Sequence, residues 1–442
     1  MNDSIVMVAA GMKKKKKDFI NDSVKNIYLN YGLLGLATIL YEKGYLGTRM
    51  FQGDDKDIDI IIDEIICSGI QIETLNYPVF VSVPSFFSVS WALEFIHKIK
   101  VINPNIKIIL GGRWVIDNNL NWVKGQFVEV DFFSQGCGDS IIDKILYEEN
   151  WNSLKNYVGK AEKHFSKFNY TLLNNFKEYQ PCIEICRGCG RKCEFCLEKN
   201  YPVSEIKSPL DTILEIKEVC NTYDNNNLNF YFEASIFNPS IEWAKSFYKY
   251  YKEYEMNFKW RFETRVDTIN LESISILSKA GLKVIDLGLE SASPTQLMRM
   301  GKTKNPQIYL NKAEELIKEM HNMGIWAKLN ILLYIGETNE SINETTNWLD
   351  RNSNYFKGVS VNPLILYLNG EYTEPFIKTI IDTTTIQPNI DALYKNGFTF
   401  IDLSKEILLE ETKKISKYIS DRYMSDEDYL DLKKICYTKI NL

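Results

Sequence analysis

Residues Cys189-Gly-Arg-Lys-Cys193-Glu-Phe-Cys196 set three cysteines three and then two residues apart, behind an apolar lead-in, Ile183-Glu-Ile, and the pair Arg187-Gly188. Three thiolates this close cannot saturate a cube of four irons, so one iron would stay open to bind and activate a small molecule. A structural zinc knot is the plainer alternative. Zinc takes four ligands from paired motifs, and no distant Cys-x-x-Cys partner exists, although Cys182 or Cys186 could supply a fourth thiolate locally.

Five of the nine cysteines (Cys182, Cys186, Cys189, Cys193 and Cys196) crowd into this region, a pattern of metal chemistry and not of a secreted disulfide framework. A reducing, cytoplasmic setting is expected. The 442 residues are 45% hydrophobic, enough for two or three conventional domains. A net charge of −6 argues against a large phosphate-binding surface, so no nucleic-acid partner is expected. No window reaches the roughly 18 apolar residues of a membrane span. Lys13 to Lys17 follow a short apolar run in the wrong order for a signal peptide and read as a solvated loop, not a membrane tether.

Upstream of the cysteines, helices and strands alternate. Tyr31 to Gly44 reads as an amphipathic helix with a glycine C-cap, followed by a strand. Ile58 to Gly69 has helical spacing, Val79 to Val83 is a buried strand, and Ser90 to Lys100 is a helix. Ile106 to Gly112 and Val128 to Phe133 are predicted strands. The alternation implies a doubly wound, Rossmann-like parallel sheet over 1–150, with a ligand crevice at the carboxyl ends of its strands. Residues 151–177 read as a linker.

The cysteines open a second domain, 178–370. Helices are predicted at Leu210 to Thr222, Ser240 to Tyr254, Leu271 to Ala280 and Gln307 to Met323, with strands at Leu228 to Phe232, Phe258 to Phe262, Val284 to Gly288 and Trp326 to Tyr334. Successive βα units predict a partial barrel with its active site on the loops at the strand carboxyl ends. From 371 to 442 the rhythm is lost, and a mainly helical C-terminal region is expected to close over the barrel's open side.

The stretch Ile183 to Cys196 resembles the cluster loop of radical S-adenosylmethionine (SAM) enzymes, in the branch with an N-terminal cobalamin-binding domain. Tyr31 to Gly44, Asn105 to Gly112 and Asp131 to Gly138 resemble that branch's first domain. Arg265-Val-Asp267, Ala280-Gly281, Gly288-Leu-Glu-Ser291, Gly301-Lys302 and Gly336-Glu-Thr338 follow in the family's order. The likeness spans roughly residues 25 to 340. Three departures stand out. No Asp-x-His-x-x-Gly signature supplies a lower axial ligand for cobalt, and the three histidines are His97, His164 and His321. Cys186 stands where serine or threonine is common, and Gly190 replaces a common proline.

The resemblance implies that Cys189, Cys193 and Cys196 hold a [4Fe-4S] cluster whose fourth iron is chelated by SAM. It places Phe195, Glu233, Arg265, Glu290 and Ser291 around SAM, and Ser82, Gly111, Gly112 and Gly136 around cobalamin. Each position also has a plainer reading: Phe195 as packing, Glu233 as a loop carboxylate, Arg265 as half of a rim ion pair, the glycines as turn residues. Phe86, Phe87, Trp91 and Trp114 read as core aromatics before corrin walls. Cys186 reads first as a packed thiol, with a role in hydrogen donation as its sharper alternative. The implied function is a cobalamin-dependent methyltransferase acting on an unactivated carbon or a phosphinate of a small molecule or peptide, fed by a donor such as flavodoxin or ferredoxin. Rival readings are radical cyclisation or rearrangement, either with an empty cobalamin-like domain or with cobalamin assisting, and a non-catalytic iron-sulfur carrier.

Overall fold

The structure, a computed structural model, describes residues 3–13, 29–160 and 167–435. Lys14 to Lys17 and His164 lie outside these residues. Among the described residues the chain divides into two compact units, one running to Tyr179 with Leu368–Glu371 added, the other built from Gln180–Tyr367 and the residues from Tyr372 onward.

In the first unit β1 (Ile5–Ala9) is wholly buried. It is followed by α1 (Tyr31–Glu42), β2 (Thr48–Gln52), α2 (Ile58–Cys67), β3 (Val79–Ser82), α3 (Val89–Ile102) and β4 (Ile108–Gly111). Two short helices, α4 (Arg113–Ile116) and α5 (Leu120–Gln126), lead to β5 (Phe132–Phe133). The strands form a parallel sheet in the order β2-β1-β3-β4-β5. This is a doubly wound order whose switch point lies between β1 and β3, where the connections leave in opposite directions and open a crevice. Asn30 caps α1 by accepting from Leu33 N, and its amide donates to Ser82 Oγ at 3.0 Å, tying the helix start to the end of β3.

Two expectations needed revision. Val128 is 81% exposed and lies in a turn, so β5 keeps only its last two residues. The stretch 151–177 is not a free linker in its described parts: β6 (Gln135–Gly136) pairs with β7 (Val158–Gly159) across the short helix α6 (Trp151–Leu154), and Tyr170, Leu172 and Leu173 are buried.

The second unit holds β8 (Cys182–Glu184), α7 (Pro209–Tyr223), β9 (Asn229–Glu233), α8 (Ile241–Glu253), β10 (Lys259–Arg265), α9 (Leu271–Ser278) and β11 (Leu282–Glu290). Then come α10 (Pro294–Arg299), α11 (Pro306–Asn322), β12 (Trp326–Leu333), α12 (Asn339–Asn352) and β13 (Gly358–Pro363). Six parallel strands stand in chain order, β8 to β13, the topology of a partial βα barrel. The helices begin where short polar side chains replace missing intrahelical partners: Ser208, Ser240, Asn270 and Thr338 each accept from a backbone N–H of the first turn.

Behind β9 and β10, Phe232, Trp260 and Phe262 pack outward against Phe237 and Phe247, and Phe230 packs on Phe258. Phe232 and Trp260 stack with ring centroids 4.2 Å apart, and Trp260 Nε1 donates to Ala280 O at 2.7 Å. Each buried aromatic contributes about 1.5–3 kcal/mol by leaving water, which fixes these two strands and the residues on their inner face.

After β14 (Ile365–Tyr367) the chain runs through α13 (Thr373–Thr384), α14 (Ile390–Asn396), β15 (Phe398–Phe400), α15 (Leu409–Tyr423) and α16 (Asp426–Lys433). The tail is mainly helical, with one antiparallel pair, β14 and β15. Helix α15 lies on the edge strand β13, where Ser416 Oγ donates to Val361 O at 3.0 Å. Leu432 and Ile435 bury themselves against Val284 near the amino end of β11. Replacing Trp260 with alanine is expected to destabilise the second unit by about 3–5 kcal/mol, measured as a lower unfolding midpoint in denaturant; a loss below about 1 kcal/mol would show that the aromatic stack does not hold these strands.

Candidate active site

The cysteine loop leaves β8 at Glu184 and is pinned before its first thiol. Arg187 donates through Nε and Nη2 to the two oxygens of Glu184, at 2.7 and 2.9 Å. Its backbone N–H donates to Ser204 Oγ at 2.8 Å. Gly188 has a φ of +75°, and a Cβ there would stand 2.0 Å from Pro202 O, so only glycine fits. Beyond it, the N–H groups of Cys189 and Gly190 both donate to Tyr201 O.

Cys189 and Cys196 are partly exposed and Cys193 is buried. The loop is fastened to the segment after α10, where Glu194 N donates to Met300 O at 3.0 Å. Arg265, at the carboxyl end of β10, completes the attachment. Its Nε and Nη2 grip the carboxylate of Asp267 at 2.8 and 3.0 Å, Nη2 also reaches Lys302 O at 2.6 Å, and Nη1 donates to Cys193 Sγ at 3.2 Å. Burial opposes the charge on Asp267, but the guanidinium outweighs it and holds the carboxyl below the usual range. Among the described residues, no three His, Cys, Asp or Glu gather around a single ion.

The inner face of the sheet carries a row of charge. Glu184 stands in register with Glu233, the pairing Phe232↔Phe262 sets Glu233 beside Glu263, and Glu263 is in register with Asp286, which neighbours Lys328. Burial penalises the charged forms of Glu233, Glu263 and Asp286. Asp286 overcomes the penalty through Arg261 and Lys328 and is held down to about 2. Glu233 has no such help; burial, Glu263 and Glu184 all push its carboxyl well above the usual range.

Glu290 ends β11 with a φ of +67°, and its Oε1 accepts from Lys302 Nζ at 2.9 Å. Phe195 lies edge-on to Tyr334, just after β12, with centroids 6.2 Å apart. The structure thus brings Phe195, Arg265 and Glu290 onto the rim that holds the cysteine loop, and Glu233 onto the strand beside it. Ser291 is turned to other work: its hydroxyl meets Thr345 Oγ1 at 3.1 Å and accepts from Ser293 N. Cys186 is buried and donates to Ile236 O at 3.2 Å, and burial, Glu184 and Cys189 push its thiol up to about 12. Lys302 and Asp267 sit in stretches the sequence singles out, Gly301-Lys302 and Arg265-Val-Asp267, yet nothing in their spacing assigns them these contacts.

In the first unit the strand ends show different uses of glycine. Gly112, with a φ of +131°, would drive a Cβ to 2.1 Å from Val83 O, and Gly136 packs as closely on Gly159. Gly111 has nothing within 4 Å of where a Cβ would stand, so open space faces the end of β4. Ser82 is occupied by Asn30. Phe86, Phe87 and Trp91 are buried, and Trp91 stacks on Phe95. His97 is exposed beside Glu129, and His321 belongs to α11 in the other unit.

These features are those of a radical SAM domain: residues 183–349 match the model of the Radical SAM superfamily. Such domains use a [4Fe-4S] cluster and SAM. No curated protein matches the chain. Among solved structures, the radical S-adenosylmethionine methyltransferase TsrM from Kitasatospora setae, with cobalamin and a [4Fe-4S] cluster bound, is similar with a TM-score of 0.65 at 14% identity over 87% of this chain and 76% of that one. The cobalamin-dependent S-adenosylmethionine radical enzyme OxsB, with aqua-cobalamin and SAM bound, gives 0.62 at 14% identity over 95% of this chain and 61% of that one. At this identity the likeness is one of fold. Residues 183–349 are thus similar to a radical SAM domain, and the fold is one shared with cobalamin-dependent radical SAM enzymes. No helix among the described residues is long and apolar enough to cross a membrane.

Glu337, which follows β12 in Gly336-Glu-Thr338, is 3% exposed. Burial raises its carboxyl from 4.5 to about 7 against the pull of Ser341, the Tyr334 N–H and Arg299. The folded chain keeps this proton where the unfolded chain has lost it. Its contribution is full below pH 4.5, declines as pH rises towards 7, and is gone above it. Stability is expected to fall by on the order of 3 kcal/mol across that window, and Glu337→Gln to remove that part of the decline in denaturant titrations at several pH values.

Proposed function

We propose that this chain is a cobalamin-dependent radical SAM methyltransferase acting on an unactivated carbon or a phosphinate of a small metabolite or peptide. The observation that carries the reading is the loop of Cys189, Cys193 and Cys196, fixed to the carboxyl ends of parallel strands by Arg265 and shaped by Gly188. The three free thiols fit a [4Fe-4S] cluster with one open iron. When bound, the cluster and SAM supply a 5′-deoxyadenosyl radical, and cobalamin supplies the methyl group.

The chain's own residues hold and orient these groups. Glu233 is a carboxyl deprived of a counter-charge, and the ammonium of SAM would restore one. Phe195 offers its ring beside Tyr334 for the adenine. Glu290, steadied by Lys302, is aimed at ribose hydroxyls. Arg265 and Ser291 are assigned to SAM by resemblance, but their side chains are engaged with Cys193 and Asp267 and with Thr345, so they support the site indirectly.

For cobalamin the supporting observation is the open space at Gly111, at the carboxyl end of β4 in the first unit's sheet. Gly112 and Gly136 shape that edge, and Ser82 anchors Asn30 there. The substrate enters the same barrel, and electrons come from a low-potential donor such as flavodoxin or ferredoxin. The missing Asp-x-His-x-x-Gly signature favours a second reading, radical cyclisation or rearrangement without methyl transfer.

Anaerobic incubation of the reconstituted protein with methyl-labelled SAM should release deoxyadenosine and, where a substrate is present, transfer label to it. Cys193→Ala should lower deoxyadenosine to background; undiminished cleavage would sink the cluster assignment. Wild-type protein loaded with hydroxocobalamin should keep its corrin absorbance through gel filtration. Gly111→Val, which fills the open space without straining the strand, should weaken that retention at least tenfold. A wild-type chain that elutes without corrin would leave the second reading in possession.

A further inference from the structure

We propose that Arg265 is a positioning residue that raises the reduction potential of a cluster held by Cys193, through a fixed N–H donated to the ligand sulfur, and that Asp267 opposes it. This inference rests on the cluster assignment above. A guanidinium presents its donors in a rigid planar fork. Here two sides of the fork are committed: Nε and Nη2 to the two oxygens of Asp267, and Nη2 to Lys302 O as well. The remaining edge, Nη1, is directed at Cys193 Sγ at 3.2 Å. The side chain is 9% exposed, so it has no solvent to turn towards without breaking the Asp267 pair. The contact is a built one.

Hydrogen bonds to the sulfurs and the net charge nearby are among the factors that set a cluster's potential. Adding an electron makes the cluster more negative. A buried cation and an N–H pointed at a ligand sulfur stabilise that reduced state and move the potential up. The carboxylate of Asp267 acts in the opposite direction from the far side of the guanidinium. Removing either partner therefore has a predictable sign, and the two signs differ. A general loss of packing would not produce that pattern.

The test uses the full chain, reconstituted anaerobically, as wild type, Arg265→Gln, Arg265→Lys and Asp267→Asn. Iron and sulfide content are measured first, and each protein is then titrated reductively while the electron paramagnetic resonance signal of the reduced cluster is followed. At one ambient potential, Arg265→Gln is expected to lower the ratio of reduced to oxidised cluster about tenfold, equivalent to about 59 mV for one electron. Asp267→Asn should raise the ratio, and Arg265→Lys should fall between wild type and Arg265→Gln. A fully loaded Arg265→Gln protein with an unmoved midpoint would overturn the inference, as would Asp267→Asn shifting in the same direction. If Arg265→Gln does not hold iron, Asp267→Asn decides alone: a rise supports the inference and anything else overturns it. A wild-type chain that takes up no cluster removes the functional assignment itself, an outcome distinct from a normal cluster with unmoved potentials.

Discussion

The guanidinium of Arg265 is the interaction on which the geometry of the site depends. It joins three separate stretches of chain: the cysteine loop at Cys193, the turn after β10 at Asp267, and the segment after α10 at Lys302. A buried charge survives only with partners, and each of these stretches supplies one. The arrangement is reciprocal. The loop is held because the cation requires acceptors, and the cation is tolerated because the loop, the carboxylate and the carbonyl surround it. Glu194 N on Met300 O closes the same junction through the backbone.

Parallel strands in chain order make that junction possible, because they bring every carboxyl end to one rim. The same register lines up Glu184, Glu233, Glu263 and Asp286 on neighbouring strands. Such a row is costly unless each acid is answered. Arg187 answers Glu184, Arg261 and Lys328 answer Asp286, and the same two cations act on Glu263 without offsetting its burial. Glu233 is left over, and it stands nearest the cysteine loop among the strands that flank it, since Ile185 N donates to Glu233 O. Burial and the neighbouring acids Glu263 and Glu184 therefore hold its carboxyl well above the usual range.

Much of this was readable beforehand, and the gaps have physical causes. In the second unit α7, α8, α9 and α11 and the strands β9 to β12 follow from clean periodicity, so their order was legible, whereas β8, α10, α12 and β13 were not read. β1 was not, because Ile5-Val-Met-Val-Ala9 is too short to show a period and stands at the chain's start. It is an interior strand of the sheet, between β2 and β3, and a wholly apolar run of five before Gly11 is the signal a buried parallel strand leaves. The opposite error arose at Val128: β-branched residues suggest a strand, but a turn exposes them. Site residues divide in the same manner. Cysteine spacing discloses donors, whereas the contact of Arg265 with Cys193 spans 72 positions and leaves no local mark.

Cys186 and Cys193 show how little residue type alone decides. They are seven positions apart on one loop and both are buried. Cys186 faces a carbonyl, that of Ile236, which can only accept, and it lies near Glu184; a thiol there keeps its proton and serves as a donor. Cys193 faces a guanidinium, which can only donate, so its sulfur is the acceptor. The direction of a single hydrogen bond therefore separates the two cysteines: one donates to a carbonyl beside a carboxylate, the other accepts from a buried cation.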